Sequence, residues 1–252
     1  MTVPSKTSAP IPLTIAVTSG KGGVGKTSVV INLAVALARL HRRVMVVDAD
    51  FGLGSVDVLL GLTPSCHVGH VLAGEKTLAE TIVEGPGGIR IVPASSGIRQ
   101  LTQLSRQQRE SLLGELRIAA QGSDVLLIDT APGISDNVLG LVEEADLALV
   151  VATSEPAAIV DAYAMVKLLA LHESRMEIGL VVNGADDEQE AHLVHTQLDA
   201  ASKRFLQRSL PCVGHVVRDD AFRDAVLAQR AVVEYAPEAV SSRAYRRLAA
   251  RI

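Results

Sequence analysis

The 252-residue chain contains no tryptophan and only three phenylalanines and three tyrosines. This scarcity of aromatic rings argues against a platform that stacks the bases of single-stranded nucleic acid. Positive charge is also lacking, because 28 acidic residues outnumber 24 lysines and arginines and leave a formal net charge of −4. The protein therefore has no overall positive field to hold a polyanion, and we expect no sequence-specific nucleic-acid partner.

Cysteine and long apolar runs are also scarce. Two cysteines, Cys66 and Cys212, cannot form a disulfide framework or a four-cysteine metal site by themselves, and we expect two reduced thiols in a cytoplasmic protein. No apolar run approaches the roughly 20 residues that a membrane-spanning helix requires. Residues 1–12 lack the apolar core of a secretory signal, and we interpret them as a short disordered tail.

Short β-rich runs alternate with helix-length segments of 3.6-residue apolar periodicity. The predicted strands are 13–18, 43–49, 88–93, 124–130, 146–153, 177–183 and 211–217, and the main predicted helices are 27–40, 105–121, 156–174 and 187–206. This alternation indicates βαβ units, and thus an α/β fold whose three layers are a mostly parallel central sheet and helices on both faces. No repeat or low-complexity linker divides the chain, so we predict one domain over residues 13–252.

The segment GKGGVGKT fits the phosphate-loop pattern G-x-x-x-x-G-K-[ST], with an apolar strand before it and an amphipathic helix after it. Its glycines let successive N–H groups turn toward one anion, and the helix adds its positive end. We expect Lys26 to neutralise the β- and γ-phosphates of ATP and the Thr27 hydroxyl to bind Mg²⁺. The predicted nucleotide-binding residues of this segment are Gly20, Lys21, Gly22, Gly23, Val24, Gly25, Lys26, Thr27 and Ser28.

Acidic residues follow two other predicted strands. Asp48 and Asp50 lie at the end of one of them, and Asp129 lies at the end of another, with Gly133 just beyond it. Ligands of open parallel sheets bind beyond the carboxyl ends of the strands, so these acids are placed to hold Mg²⁺ and water. Gly133 can bring its N–H close to a γ-phosphate. The alternative for each acid is a helix N-cap or a surface loop, and the presence of a phosphate loop makes that alternative less favourable.

The segment GKGGVGKT resembles the deviant Walker A signature of the MinD/ParA ATPases, and the D-A-D and D-T-A-P-G segments resemble the switch I and switch II of that family. The resemblance implies a P-loop NTPase fold, ATP and Mg²⁺ as cofactors, hydrolysis to ADP and phosphate, and an ATP-dependent homodimer. It further implies that Lys21 reaches the nucleotide of the partner subunit, and that Asp50 positions the attacking water. Asp48 and Asp129 correspond to the magnesium-side acids.

The adenine end is assigned through the same resemblance. Asn183 matches the asparagine with which the family reads adenine, although an asparagine before a glycine is also an ordinary turn residue. The segment that includes Val217 and Asp219 resembles the one that wraps the base, although the family commonly has proline in place of Val217.

The stretch DADFGLGSVDVLLGL, residues 48–62, resembles the FlhG/FleN group of MinD-like regulators of flagellar number. Residues 70–74, 140–141 and 233–237 also match that group. The resemblance implies partners among flagellar assembly or regulatory proteins. Residues 1–12 depart from the group, because they contain nothing like its N-terminal helix with a D-Q-A-like motif that stimulates a partner GTPase.

The C-terminal segment has apolar residues at every fourth position from 240 to 252, with arginines on other faces. Such a helix can bind weakly to the inner face of an anionic membrane or can dock on the domain. The second alternative is favoured, because the apolar face is mostly alanine.

Two functions compete with flagellar regulation. A MinD-type ATPase for cell-division site selection would share every nucleotide-binding residue. A non-hydrolysing ATP-bound scaffold is disfavoured by the presence of Asp50. An iron–sulfur carrier of the same superfamily would need a closely spaced cysteine pair, which Cys66 and Cys212 do not form.

Overall fold

The computed structural model describes residues 11–94, 105–171 and 176–252. Most of the predicted tail, residues 1–10, and the end of the helix predicted to reach residue 174 lie outside these ranges. The described strands form one sheet in the order β3-β4-β2-β5-β1-β6-β7-β8. Its pairs are parallel, except that β3 runs antiparallel to β4.

The strands are β1 (Leu13–Thr18), β2 (Val44–Ala49), β3 (Val83–Glu84), β4 (Arg90–Val92), β5 (Val125–Thr130), β6 (Leu147–Ala152), β7 (Glu177–Ala185) and β8 (Cys212–Val217). The first helices are α1 (Lys26–Arg39), α2 (Val56–Leu59), α3 (Val68–Leu72), α4 (Leu78–Thr81), α5 (Arg106–Ala119) and α6 (Asp136–Val142). The remaining helices are α7 (Pro156–Leu171), α8 (Glu188–Leu206), α9 (Asp220–Leu227), α10 (Val232–Tyr235) and α11 (Val240–Ala249). The predicted α/β class with a mostly parallel sheet is confirmed.

The central strands are buried along most of their length, which is why their sequences read as nearly continuous apolar runs. All six residues of β2 and all six of β5 are buried. Helices α1, α10 and α11 contribute to the core on one face of the sheet, and α5, α6, α7 and α8 contribute to the core on the other. In the β2–β5 register, Asp48 lies opposite Asp129, so the two carboxylates lie side by side at the carboxyl edge of the sheet.

Helix α11 is docked on the domain, as the favoured alternative for the C-terminal segment predicted. It contacts α1, α10 and β8, and Tyr245 and Leu248 are buried on its inner side. The Asp219 carboxylate fixes the start of the helix, because its Oδ2 accepts hydrogen bonds from the Ser241 N–H at 3.0 Å and from the Ser241 hydroxyl at 2.9 Å. Arg243 and Arg247 lie on the exposed side.

Within the described ranges, no helix combines the length and apolar character needed to cross a bilayer.

Tyr245 tests how much the docking of α11 stabilises the fold. Its side chain is fully buried, and its hydroxyl has no hydrogen-bond partner among the described residues. We expect Tyr245→Ala to lower the free energy of unfolding by about 3–5 kcal/mol, since it leaves a cavity. Tyr245→Phe should be neutral or slightly stabilising, because it removes an unpaired buried hydroxyl. Urea unfolding of the two variants measures both effects, and a loss above about 1 kcal/mol in Tyr245→Phe would show that the hydroxyl is paired.

Candidate functional site

The phosphate loop connects β1 to α1 at the carboxyl edge of the sheet. Gly23 and Gly25 have φ angles of 82° and 83°, in the left-handed region that favours glycine. The loop borders a cavity of about 240 Å³. The cavity is lined by Ser19, Lys21, Gly22, Gly23, Val24, Gly25, Lys26, Thr27, Ser28, Asp50 and Pro132. The sequence-predicted loop residues therefore surround one space, with the exception of Gly20.

Two glycines of the loop are required by close packing against other segments. A Cβ on Gly20 would lie 2.1 Å from the carbonyl oxygen of Asp161 in α7. A Cβ on Gly25 would lie 2.3 Å from the Asn183 amide nitrogen at the end of β7. Gly20 thus lets α7 pack behind the loop, and Gly25 lets β7 approach its side. The contact of Gly20 with nucleotide stays a prediction.

A buried ion pair joins the loop to the neighbouring strand. The Lys26 Nζ lies 3.0 Å from Oδ1 of Asp129, and both side chains are almost fully buried. Burial raises the pKa of Asp129, while Lys26 and a hydrogen bond from Thr27 act in the opposite direction. The other carboxylate oxygen, Oδ2, is buried and has no hydrogen-bond partner among the described residues. This oxygen is free to accept a further ligand.

Asp48 anchors the backbone that carries Asp50. Its Oδ1 accepts a hydrogen bond from the Asp50 N–H at 3.1 Å, and its Oδ2 accepts from the N–H groups of Ser55 and Val56 at 2.9 and 3.1 Å. Burial, together with the nearby charge of Asp129, raises the pKa of Asp48 to about 7. The geometry gives Asp48 a positioning role, and its role toward magnesium stays a prediction.

Asp50 lines the cavity on the side facing the phosphate loop. It is half-buried, and its Oδ1 accepts a hydrogen bond from the Leu53 N–H at 3.1 Å. The side chain is therefore held by its own loop without being sealed from water. A carboxylate in this position can orient a water molecule beside the phosphates.

Lys21 is paired within its own chain. Its Nζ lies 2.7 Å from Oε2 of Glu155, and both side chains are partly exposed. The shared hydrogen bond raises the pKa of Lys21 and lowers that of Glu155. Sequence reasoning missed Glu155, although its position just beyond the carboxyl end of β6 was a usable signal, because that end belongs to the ligand-binding edge.

Gly133 connects the loop after β5 to the phosphate loop. Its N–H donates a hydrogen bond to the carbonyl oxygen of Ser19 at 2.9 Å, and its φ angle of 93° favours glycine. To contact a phosphate, as the sequence predicts, this N–H must leave Ser19.

A second cavity of about 320 Å³ lies at the predicted adenine end. It is lined by Asn183, Gly184, Val216, Val217, Arg218, Asp219, Asp220, Phe222 and Arg223. The three residues predicted there, Asn183, Val217 and Asp219, are thus brought together. The Asn183 amide donates a 2.8 Å hydrogen bond to the Val24 carbonyl, whereas the Asp219 carboxylate holds α9 and α11. Phe222, an aromatic wall of this cavity, was missed by sequence reasoning.

The donor set beside the phosphate loop fits magnesium bound together with phosphate. No group of three or more His, Cys, Asp or Glu side chains among the described residues could hold a metal ion. Thr27 nevertheless lines the cavity, and Asp129, whose Oδ2 has no partner among the described residues, contacts Lys26 and Thr27 of that lining. Mg²⁺ commonly takes few protein ligands and completes its shell with substrate phosphates and water.

The chain is similar to several known proteins. A family model described as an AAA domain matches residues 13–180. The antiactivator FleN of Pseudomonas aeruginosa is 44% identical over 238 residues, which cover 94% of this chain and 85% of FleN. The flagellum site-determining protein YlxH of Helicobacter pylori is 29% identical over 236 residues, which cover 93% and 80% of the two chains.

Among solved structures, the septum site-determining protein MinD of Pyrococcus horikoshii, complexed with Mg-ADP, superposes with a TM-score of 0.79. The match has 23% identity and covers 94% of this chain and 93% of that one. At this identity the likeness shows a shared fold.

The two left-handed glycines test the packing of β7 on the phosphate loop. A Cβ on Gly23 meets nothing within 4 Å, so Gly23→Ala should cost only the left-handed strain of about 1–2 kcal/mol in nucleotide-free protein. Gly25→Ala should cost more, because it also collides with Asn183. Urea unfolding of nucleotide-free protein measures both. Asn183→Ala should add little cost on top of Gly25→Ala, and full additivity of the two costs would contradict the clash.

Proposed function

The chain belongs to the MinD/ParA family of P-loop ATPases and to its FlhG/FleN-like group, and we propose that it is an ATP-dependent switch that controls flagellar number, placement or assembly. ATP binding drives formation of a homodimer, and slow hydrolysis to ADP and phosphate resets the monomer. Residues 13–252 act as one domain in this proposal, which is supported by the single sheet of the described residues.

The observation that carries the ATPase part is the cavity around the phosphate loop. Among the described residues, Lys26 forms an ion pair with Asp129 alone, and a phosphate can replace that charge. Thr27 and Asp129 would hold the magnesium ion that neutralises the β- and γ-phosphates. Asp50 orients the attacking water, and Asp48 keeps the Asp50 backbone in place.

Dimerisation is supported by the position of Lys21. This lysine lines the nucleotide cavity and is also partly exposed. It can therefore exchange Glu155 of its own chain for a phosphate on a partner subunit, because the ion pair with Glu155 is open to solvent and thus weak. The monomer prevails with ADP and the dimer with ATP.

The biological role is drawn from the relatives. FleN is an antiactivator and YlxH a flagellum site-determining protein, which supports flagellar regulatory or assembly proteins as partners. A MinD-type role in cell-division site selection is the second candidate, supported by the MinD fold. We propose a cytoplasmic protein. Any weak contact with the membrane would involve Arg243 and Arg247, because Ala244, Tyr245 and Leu248 of α11 are buried against the domain.

Asp50→Ala tests hydrolysis. Lys26, Thr27 and Asp129 remain in this variant, so it should bind ATP and dimerise. We expect its single-turnover hydrolysis rate to fall by about 10²–10⁴-fold, because the water loses its orienting group. Asp57→Ala removes an acid of the same segment that does not line the cavity and should behave like the wild type. Wild-type hydrolysis by Asp50→Ala would remove Asp50 from the mechanism, and a joint loss of ATP affinity and melting temperature would indicate a structural role.

Lys21→Ala tests the cross-subunit contact. Light scattering with a slowly hydrolysed ATP analogue should detect a dimer for the wild type and a monomer for Lys21→Ala, since the variant has no charge to offer the partner's nucleotide. Lys76→Ala is a matched control, because Lys76 forms an exposed ion pair with Glu80 away from the cavity. Dimerisation of Lys21→Ala at the wild-type level would refute the contact.

A further inference from the structure

Arg109 of α5 forms hydrogen bonds with the first turn of α6. Its Nη1 lies 3.4 Å from the carbonyl oxygen of Asp136 and 3.4 Å from Oδ1 of Asn137. These are long hydrogen bonds from one guanidinium to two consecutive residues, at the point where α6 begins. The side chain is only partly exposed, so the contact is not a fully solvated one.

The Arg109 guanidinium lies against Gly140 of α6. A Cβ at this position would lie 2.5 Å from Cζ of Arg109 and 2.6 Å from its Nε. Glycine is an unfavourable residue inside a helix, and the backbone of Gly140 does not have a positive φ angle. The absence of a side chain at Gly140 therefore leaves room for the guanidinium, and a methyl group there would require the flexible end of Arg109 to move.

The first turn of α6 is one short loop away from the nucleotide cavity. Thr130 ends β5 and Asp136 begins α6. Between them, Pro132 lines the cavity and the Gly133 N–H is bonded to Ser19. The loop is short, so the position of α6 limits where Gly133 can reach.

A small cavity leaves room for α6 to shift. It measures about 150 Å³ and lies between the Asp50 loop and the start of α6. It is lined by Asp50, Phe51, Ser135, Asn137 and Leu141, among others. Side-chain packing alone thus does not fill the space between the Asp50 loop and the start of α6, and the hydrogen bonds of Arg109 help to hold the helix there.

We propose that Arg109 is a positioning residue for ATP hydrolysis: it fixes the first turn of α6 and, through it, the loop that presents Gly133 to the nucleotide. The inference rests on the proposed ATPase function. Arg109 does not line the nucleotide cavity, so it acts through the loop and leaves ATP affinity unchanged.

The chain offers a matched control on the same pair of elements. Arg117, also in α5, pairs with Glu144 just beyond the far end of α6, and both side chains are exposed. Arg117→Ala removes an arginine contact from the end of α6 that is remote from the loop. Arg109→Lys keeps the charge but loses the planar fork.

The absence of tryptophan allows a direct reporter of the loop. Ile134, next to Gly133, is 48% exposed, and Ile134→Trp places the only tryptophan of the chain there. The change in tryptophan fluorescence on addition of Mg-ATP then reports a change in the surroundings of the loop at position 134, and single-turnover measurements report the rate of hydrolysis. ATP affinity and melting temperature are measured on the same preparations.

In the Ile134→Trp background, we expect Arg109→Ala to lower the hydrolysis rate about tenfold, because a misplaced group near the reacting atoms is costly. The fluorescence change should shrink, and ATP affinity should stay unchanged. Arg109→Lys should recover part of the rate, and Arg117→Ala should match the parent. A rate and a fluorescence change equal to those of Arg117→Ala would overturn the proposal, and so would a lower melting temperature without any change in rate.

Gly140→Ala tests the same contact from the other side. Its methyl group displaces the guanidinium, so it should reproduce Arg109→Ala, and the double variant should be no slower than either single variant. Additive losses would mean separate roles and would overturn the proposal. If the Ile134→Trp parent binds ATP without hydrolysing it, the proposed ATPase function itself is refuted. If the parent is active and the Arg109 variants hydrolyse ATP at the same rate as the parent, this inference alone is refuted.

Discussion

Lys26 and Asp129 face each other at 3.0 Å, and both side chains are almost fully buried. Removing one partner of such a pair typically costs about 3–5 kcal/mol, because the other charge is left buried and uncompensated. A ligand that takes Lys26 from Asp129 must therefore bring its own negative charge, and the carboxylate that is released needs a cation. A nucleotide bound with Mg²⁺ supplies both. In the proposed function, the pair would couple phosphate binding to metal binding, and in the structure it joins α1 to β5.

The strands of the sheet position the other polar residues of the site around this ion pair. The register of β2 and β5 places Asp48 beside Asp129. The Asp48 carboxylate in turn accepts a hydrogen bond from the Asp50 N–H, so the end of the strand fixes the position of Asp50. Asn183, in β7, similarly fixes the phosphate loop by donating a hydrogen bond to the Val24 carbonyl. The loops at the carboxyl edge are therefore fixed by buried polar groups at strand ends, which is where a rigid scaffold can position them most accurately.

Much of this could be predicted from sequence, because its signals are local. The phosphate loop is one contiguous segment, and Asp50 and Asp129 come at the ends of apolar runs whose composition indicates strands. The remainder depends on contacts between distant segments. Glu155 meets Lys21 across 134 positions, and nothing near Arg109 in the sequence indicates that its guanidinium lies on Gly140. The two-residue strand β3 is too short to show a period.

The two outer strands of the sheet are both protected. Strand β3 has only two residues and runs against the direction of the rest. At the opposite edge, Arg251 donates a 2.7 Å hydrogen bond to the Val213 carbonyl of β8. Unprotected edge strands recruit strands from other molecules and lead to aggregation. With a two-residue strand at one edge and this hydrogen bond at the other, fewer backbone groups of the edge strands are available to pair with the sheet of another copy.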